Sequence, residues 1–213
     1  MVKASALLFS VWLLGFAPGL AQEPEAIQLP PPQTEIGVPL MQALKLRQSS
    51  RSFDTRPLPL QELSNLLWAA DGINRPESGK RTAPSARNFQ EVDVYVALPE
   101  ALYLYEAKTH SLTPVVAEDL RAMTGVQAFV ADAPLNLVYV ADLARMGNAS
   151  GDDKRLYSAA AVGFIAQNVY LYCASQGLAA VVRASVDRAP LAEAMKLRPE
   201  QRIVLAQTVG YPK

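Results

Sequence analysis

The chain is poor in the side chains that carry metal and nucleophilic chemistry: among 213 residues it has one cysteine and one histidine. A single cysteine cannot form a disulfide within the chain, and a His/Cys zinc site needs more ligands than these two residues supply. A hydrolase with a histidine base would have to use His110, which follows an expected hairpin in "EAKTHSLTP" and is predicted to lie at the surface. The composition therefore excludes a His/Cys zinc site and argues against a histidine-dependent hydrolase.

An excess of charge of either sign is also missing. Lysine and arginine number 20, aspartate and glutamate number 20, and the formal net charge is zero. A surface that binds nucleic acid or an anionic membrane needs a basic excess, so we expect neither partner. The chain is 50% hydrophobic and 19% charged, which is typical of one globular domain.

A long apolar run occurs only near the N-terminus. Lys3 precedes "ALLFSVWLLGFA", and small residues stand at Gly19 and Ala21, which predicts a signal peptide over residues 1–21. The alternative is a membrane anchor, but an apolar run of about 14 residues is shorter than the roughly 20 that span a bilayer. We therefore expect export to the periplasm or the medium, no membrane span after cleavage, a Pro-rich tether over residues 22–38 and one domain over residues 39–213.

The remaining sequence alternates between helical and strand patterns. Apolar spacing predicts a helix over Pro39–Arg47 and another that starts at Pro59 and ends in a left-handed cap at Gly72. "EVDVYVAL" and "ALYLYEAKTHSL" read as a hairpin, "TPVVAEDLRAMTG" as a helix and "APLNLVYVADL" as a buried strand. A long, mostly apolar helix should end at Gly177, followed by a strand ("LAAVVRASVD"), a short helix ("APLAEAMKL") and a final strand ("QRIVLAQTVGYPK"). This order indicates an α+β fold built around a long buried helix.

The stretch "LRQSSRSF" concentrates two arginines and three serines just after the first helix. Guanidinium groups bind phosphate oxygens in pairs, and serine hydroxyls with turn amides can complete an anion site. Arg47 and Arg51 are equally explained, from these residues alone, as solvated cations at a helix C-terminus. A second stretch, "APSARNFQ", offers Asn88, whose amide can donate and accept at once; it could bind a ring edge or stabilise a turn.

Taken in order, "RQSSRSF", "PSARN", the helix that ends "AQNVYLYCASQGL" and the strand that ends "VGYP" resemble the FMN-dependent nitroreductase family over residues 39–213. "LLWAADGIN" and "GKRTAPSA" resemble its short bacterial branch, similar to the azoline-oxidising (thiazole/oxazole-forming) dehydrogenases. The resemblance implies a nitroreductase-like fold with a mainly antiparallel central sheet flanked by helices, as an intertwined homodimer. It also implies ping-pong reduction of a small organic acceptor, such as a nitroaromatic or a quinone, by NAD(P)H or another donor.

The same resemblance assigns FMN contacts to positions of this chain, but it assigns no catalytic side chain. The implied phosphate and ribityl contacts are Arg47, Gln48, Ser49 and Arg51, and the implied ring contacts are Pro84, Ser85 and Asn88, given across the dimer, with the main chain of Val181 and Val182. Gln48 replaces a usual basic residue, and Lys213 is the candidate for the cations that relatives carry beyond the last strand.

Two features leave alternatives open. Ala159, Ala160, Ala161 and Gly163 would let two long helices approach closely in a dimer, or would serve packing within one chain. An exported chain would meet little free FMN or NAD(P)H, so a non-catalytic flavin-binding protein is the alternative function. The Lys-Tyr pair of azoline-oxidising enzymes is separated here into Lys154 and Tyr157, which argues against that chemistry.

Overall fold

The computed structural model describes residues 23–213, so the predicted signal peptide lies outside the described residues. The helices are α1 (Leu40–Leu46), α2 (Leu60–Asp71), α3 (Phe129–Asp132), α4 (Gly151–Gln176) and α5 (Arg188–Ala194). The strands are β1 (Ile27–Gln28), β2 (Ile73–Arg75), β3 (Lys80–Arg81), β4 (Val92–Ala97), β5 (Leu102–Glu106), β6 (Ser111–Val116), β7 (Leu135–Asp142), β8 (Ala179–Arg183) and β9 (Gln201–Gly210). None of the helices within this range is both long and apolar enough to cross a membrane.

Seven strands form one antiparallel sheet in the order β1-β6-β5-β4-β7-β9-β8, and β2 and β3 form a separate hairpin. All residues of β7 are buried, and its two faces contribute to two different hydrophobic clusters. Because side chains alternate along a strand, Leu137 and Tyr139 pack in the cluster that contains α4, and Val138 and Val140 pack with Leu191 of α5. The structure thus confirms the predicted α+β class, with a mainly antiparallel sheet flanked by helices.

Helix α4 ends at the glycine that the sequence predicts, and Ser150 caps its start. The Ser150 hydroxyl accepts the Asp153 N–H at 3.0 Å, which satisfies one of the free amides of the first turn. Gly177 ends the helix in the left-handed region, at φ 71°, where a residue without a Cβ is favoured. One face of α4 packs on the sheet through residues such as Val162 and Val169, and the opposite face is exposed.

The predicted tether is wrong for the part of residues 22–38 that the structure describes. Ile27 and Gln28 pair with β6, Leu29 is buried, and the Gln33 N–H donates to Asn65 Oδ1 at 2.8 Å. The outer edge of β6 would otherwise expose unpaired backbone groups, and residues 27–28 pair with these groups as a short extra strand. The segment therefore forms part of the domain.

Two local predictions also fail. "TPVV" continues β6 instead of starting a helix, because pairing with β5 fits its β-branched valines better than a helix does. Gly72 has an extended backbone (φ −72°) instead of a left-handed one. A Cβ at Gly72 would lie 2.7 Å from Trp68 Cα, so glycine is needed there for close approach and not for a positive φ.

Candidate functional site

The turn that follows α1 lies along the outer edge of the sheet. We call Arg47–Arg51 the arginine turn. The Ser50 N–H donates to the Ala180 carbonyl at 2.9 Å, and β8 is the last strand on this side of the sheet. An edge strand has backbone groups without a partner strand, so it can hold a turn of this kind in place. The predicted phosphate residues are thereby placed beside β8.

Tyr170 of α4 joins this turn to β8. Its hydroxyl lies 2.8 Å from Ser49 Oγ and accepts the Val182 N–H at 2.8 Å, and its ring lies 5.4 Å from Arg47 Cζ. Three residues predicted for the cofactor site therefore meet around a fourth that the sequence did not single out. The Val182 amide predicted to face the flavin ring donates within the protein, and the Val181 side chain is buried in a cluster with Phe53.

The arginine turn carries positive charge that no acidic side chain neutralises. Arg47 is half-buried and Arg51 is exposed, and neither forms an ion pair within residues 23–213. Gln48 lines a cavity of about 230 Å³ next to Tyr170. The turn therefore has the free guanidinium groups that a phosphate needs, and the uncharged Gln48 adds no third cation.

Lys213 lies near the same turn. Phe53, two residues after Arg51, pairs with Pro212 in an isolated antiparallel bridge, and the Asp54 N–H donates to the Tyr211 carbonyl at 2.9 Å. Lys213 follows directly and is exposed. The structure thus brings the candidate third cation to the same side of the domain as the two arginines.

The second motif forms a tight loop, Pro84–Gln90, which we call the asparagine loop. The Ser85 hydroxyl accepts the Gln90 N–H at 3.0 Å, so it stabilises this loop instead of capping a helix. The Gln90 side chain donates to Asn88 Oδ1 at 3.3 Å and to the Gly79 carbonyl at 3.0 Å. Asn88 is exposed, and its side-chain N–H groups have no protein acceptor among the described residues. This amide is free to donate to a ligand.

The arginine turn and the asparagine loop do not share one pocket within a single chain. Ser49 contacts α4 at Tyr170, whereas Pro84 and Ser85 line a small cavity with Ala161 and Ile165 of the same helix. At 1.5 Å per residue these positions are about 8 to 14 Å apart along the helix axis. A ligand that uses both motifs must therefore span this distance.

His110 does not lie free at the surface as predicted. Ser64, which is fully buried, donates its hydroxyl proton to the Pro30 carbonyl at 2.6 Å and lies 2.7 Å from His110 Nε2. The hydroxyl must then accept from Nε2–H, and Nδ1, 2.9 Å from the Tyr105 hydroxyl, accepts from it. Burial lowers the pKa of His110, which favours this neutral tautomer. Because the Ser64 proton is directed at a carbonyl, the pair does not form a hydrolytic nucleophile and base.

Comparison with known proteins identifies one family. The Nitroreductase family model matches residues 44–211. A protein of Methanocaldococcus jannaschii described as a "putative nitroreductase" is 34% identical over 163 residues, which is 69% of this chain and 82% of that protein. A Ralstonia eutropha JMP134 crystal structure with the same description is 49% identical, with a TM-score of 0.87 over 92% of this chain and 93% of that chain.

A more distant structure shows the fold alone: the NADPH:FMN oxidoreductase of Vibrio harveyi, in complex with NAD⁺, is 20% identical, with a TM-score of 0.62 over 82% of this chain and 69% of that one. The family model spans most of the described residues. The Methanocaldococcus jannaschii and Ralstonia eutropha proteins match this chain over most of their own length. The chain therefore belongs to the nitroreductase family and is a flavin-dependent oxidoreductase.

Proposed function

We propose that two copies of the chain bind FMN between them. The arginine turn of one protomer would hold the phosphate, and the asparagine loop of its partner would contact the flavin ring. The observation that carries this proposal is that Arg47 and Arg51, which flank Ser49 in the same turn, have no acidic partner among the described residues. The donor set fits a phosphate monoester, which favours forked, charge-assisted hydrogen bonds.

An exposed apolar surface supports the dimer. On α4, Leu156 and Phe164 are 64% and 48% exposed, and Ala159, Ala160 and Gly163 between them are exposed as well. On α1, Leu40 and Met41 are more than half exposed. Monomeric proteins rarely expose large apolar patches to solvent. We therefore propose that a second copy of the chain buries the exposed face of α4.

Within this arrangement the protein orients the cofactor and the cofactor supplies the electron transfer. Asn88 would donate its free amide to the ring, and Arg47, Arg51 and Lys213 would balance the phosphate charge. The name of the Vibrio harveyi relative supports NADPH as the donor and FMN as the cofactor. We propose ping-pong turnover in which NAD(P)H reduces the protein, leaves, and is replaced by a small acceptor such as a nitroaromatic or a quinone.

The resemblance to azoline-oxidising enzymes does not extend to their chemistry in this proposal. Lys154 and Tyr157 stand three residues apart on α4, about one helical turn, instead of next to each other. Export to the periplasm or the medium rests on the pattern of residues 1–21. In such a compartment the donor could be a redox protein, and the alternative function is an exported protein that binds flavin without turnover.

The test begins with the colour of the purified protein. We expect the visible absorption bands of oxidised flavin, bleached under anaerobic conditions by NADPH; a coloured protein that NADPH and NADH leave unbleached would favour the non-catalytic alternative. The double variant Arg47→Ala/Arg51→Ala should lose copurified flavin, because it removes both free guanidinium groups of the turn. Arg202→Ala, an exposed arginine on β9, is the control and should keep it. Full flavin occupancy in the double variant would show that the phosphate lies elsewhere.

A further inference from the structure

A cavity of about 910 Å³ opens beside the asparagine loop, and most of its wall comes from parts of the chain outside the two motifs. Leu29 and Pro31 of the N-terminal segment form one side, Trp68 and Phe89 contribute aromatic rings, and Lys108 lies at the turn between β5 and β6. Its volume lies within the range of pockets that enclose small organic ligands. The cavity can therefore accept a substrate of one or two rings.

The lining is positively charged. Arg81 and Lys108 face the cavity, and the described lining contains neither aspartate nor glutamate. Lys108 is exposed and forms no ion pair within residues 23–213. Such a cavity attracts anions, because low-dielectric walls focus the field of the charges that line them.

The partner of Arg81 lies behind the cavity wall. Asp71 is buried and pairs with the Arg81 guanidinium. Burial raises the pKa of Asp71 to about 7, since the cost of desolvation outweighs the attraction of the guanidinium. Arg81 is thus paired with a carboxyl behind the wall, and Lys108 supplies the unpaired positive charge of the lining.

The aromatic wall is fixed in place. Trp68 Nε1–H donates to the Ile73 carbonyl at 3.2 Å, which sets the plane of the indole at the end of α2. The N-terminal segment is held by the Ser64 hydroxyl on the Pro30 carbonyl at 2.6 Å and by Gln28, whose amide donates to the His110 carbonyl at 3.1 Å. The wall is thus preformed, which reduces the entropy lost when a ligand binds.

Backbone strain concentrates around the same cavity. Asn88, Gln90 and His110 all line it and have φ values of 57°, 48° and 50°. Left-handed backbone at residues other than glycine costs of the order of 1–3 kcal/mol each and tends to occur at functional sites. The three left-handed residues thus belong to the two tight loops that border this cavity.

From these observations we propose that the cavity is the acceptor pocket and that it binds a planar aromatic molecule with a carboxylate. The ring would lie against the Trp68 and Phe89 side chains, and the carboxylate would point toward Lys108 and Arg81. This rests on the proposed function, because Asn88 lines the cavity and is also the residue proposed for the flavin ring.

The test compares 4-nitrobenzoate with 4-nitrobenzamide, which has nearly the same shape without the charge. By calorimetry on the purified protein, we expect the acid to bind at least fivefold more tightly than the amide. Lys108→Gln should remove most of that preference, and Trp68→Ala should weaken both ligands. Lys196→Gln, at an exposed lysine outside the cavity, is the control and should keep the preference.

Turnover gives an independent reading. With NADPH as donor, 4-nitrobenzoate takes up two electrons and two protons and yields the nitroso compound, water and NADP⁺. The ratio of KM values for amide and acid should fall about fivefold in Lys108→Gln, with little change in the ratio of kcat values. Equal binding of acid and amide in the unmodified protein, or an unchanged preference in Lys108→Gln, would overturn the pocket proposal.

The pocket and the redox function can fail separately. A protein that NADPH bleaches but that binds acid and amide alike keeps the proposed function and refutes the pocket. A protein that prefers the acid in a Lys108-dependent way but is not bleached by NADPH supports the charge-selective cavity and refutes NADPH as the donor.

Discussion

Gly163 offers a direct test of the proposed dimer interface through α4. It lies on the exposed face of the helix, and a Cβ built there meets no atom within 4 Å in the single chain. Glycine in a helix interior is about 0.5–1 kcal/mol less favourable than alanine. In a lone chain Gly163→Ala should therefore be stabilising, and at this domain size 1 kcal/mol corresponds to about 2–4 °C in Tm.

Gly163→Glu should act in the opposite direction on the dimer. The single chain can accept the longer side chain. In a dimer whose two α4 helices are in contact, however, the glutamate carboxylate would be buried away from water. If this costs about 3 kcal/mol, at about 1.4 kcal/mol per factor of ten the dimer weakens by roughly 100-fold. Sedimentation velocity over a concentration series measures this shift. Flavin should be lost along with the dimer, because the proposed site spans both protomers, while the circular dichroism of the helices stays unchanged.

The control is Val126→Glu, an equally acidic substitution at a residue that is 71% exposed and outside α1 and α4. It should leave the dimer and the flavin content as they are. A folded Gly163→Glu protein that stays dimeric at micromolar concentration and keeps its flavin would refute the assignment of this face to the interface.

Three further substitutions test buried polar groups. Tyr170→Phe leaves the Val182 N–H without its acceptor and should lower the free energy of unfolding by about 1–3 kcal/mol in chemical denaturation; an unchanged midpoint would contradict the contact. Burial raises the pKa of Asp71 from 3.8 to about 7, so the folded chain favours the protonated carboxyl. The contribution of this group to the free energy of unfolding is therefore complete below about pH 4 and is lost as the pH rises through 7. Asp71→Asn should therefore flatten the decline in the free energy of unfolding between pH 4 and pH 8, by no more than about 4 kcal/mol, and an unaltered decline would refute this origin. Both carboxylate oxygens of Glu91 are buried without a partner among the described atoms, so Glu91→Met should raise the free energy of unfolding by about 1–3 kcal/mol, and a lower value would point to an unseen partner.

The candidate site could be predicted from the sequence only in part. Short motifs led to Arg47, Ser49 and Asn88, because residue types suited to phosphate or ring recognition recur there in close spacing. Tyr170 was missed, since its position in "NVYLYC" does not reveal which tyrosine of the helix meets the sheet edge. The cavity beside Asn88 was missed as well, because four separate chain segments build its wall.

The sequence by itself determined the long helix, its stop at Gly177, the central strand β7 and the family. These features depend on local periodicity, on capping and on motif order, all of which are written in contiguous residues. Only the tertiary structure decided that residues 27–28 form a strand, that "TPVV" extends β6 and that His110 lies in a hydrogen-bonded network. The physical reason is that backbone groups at a sheet edge form hydrogen bonds with whatever segment the fold brings close to them. Polar groups that packing brings together do the same, and no local sequence pattern specifies these partners.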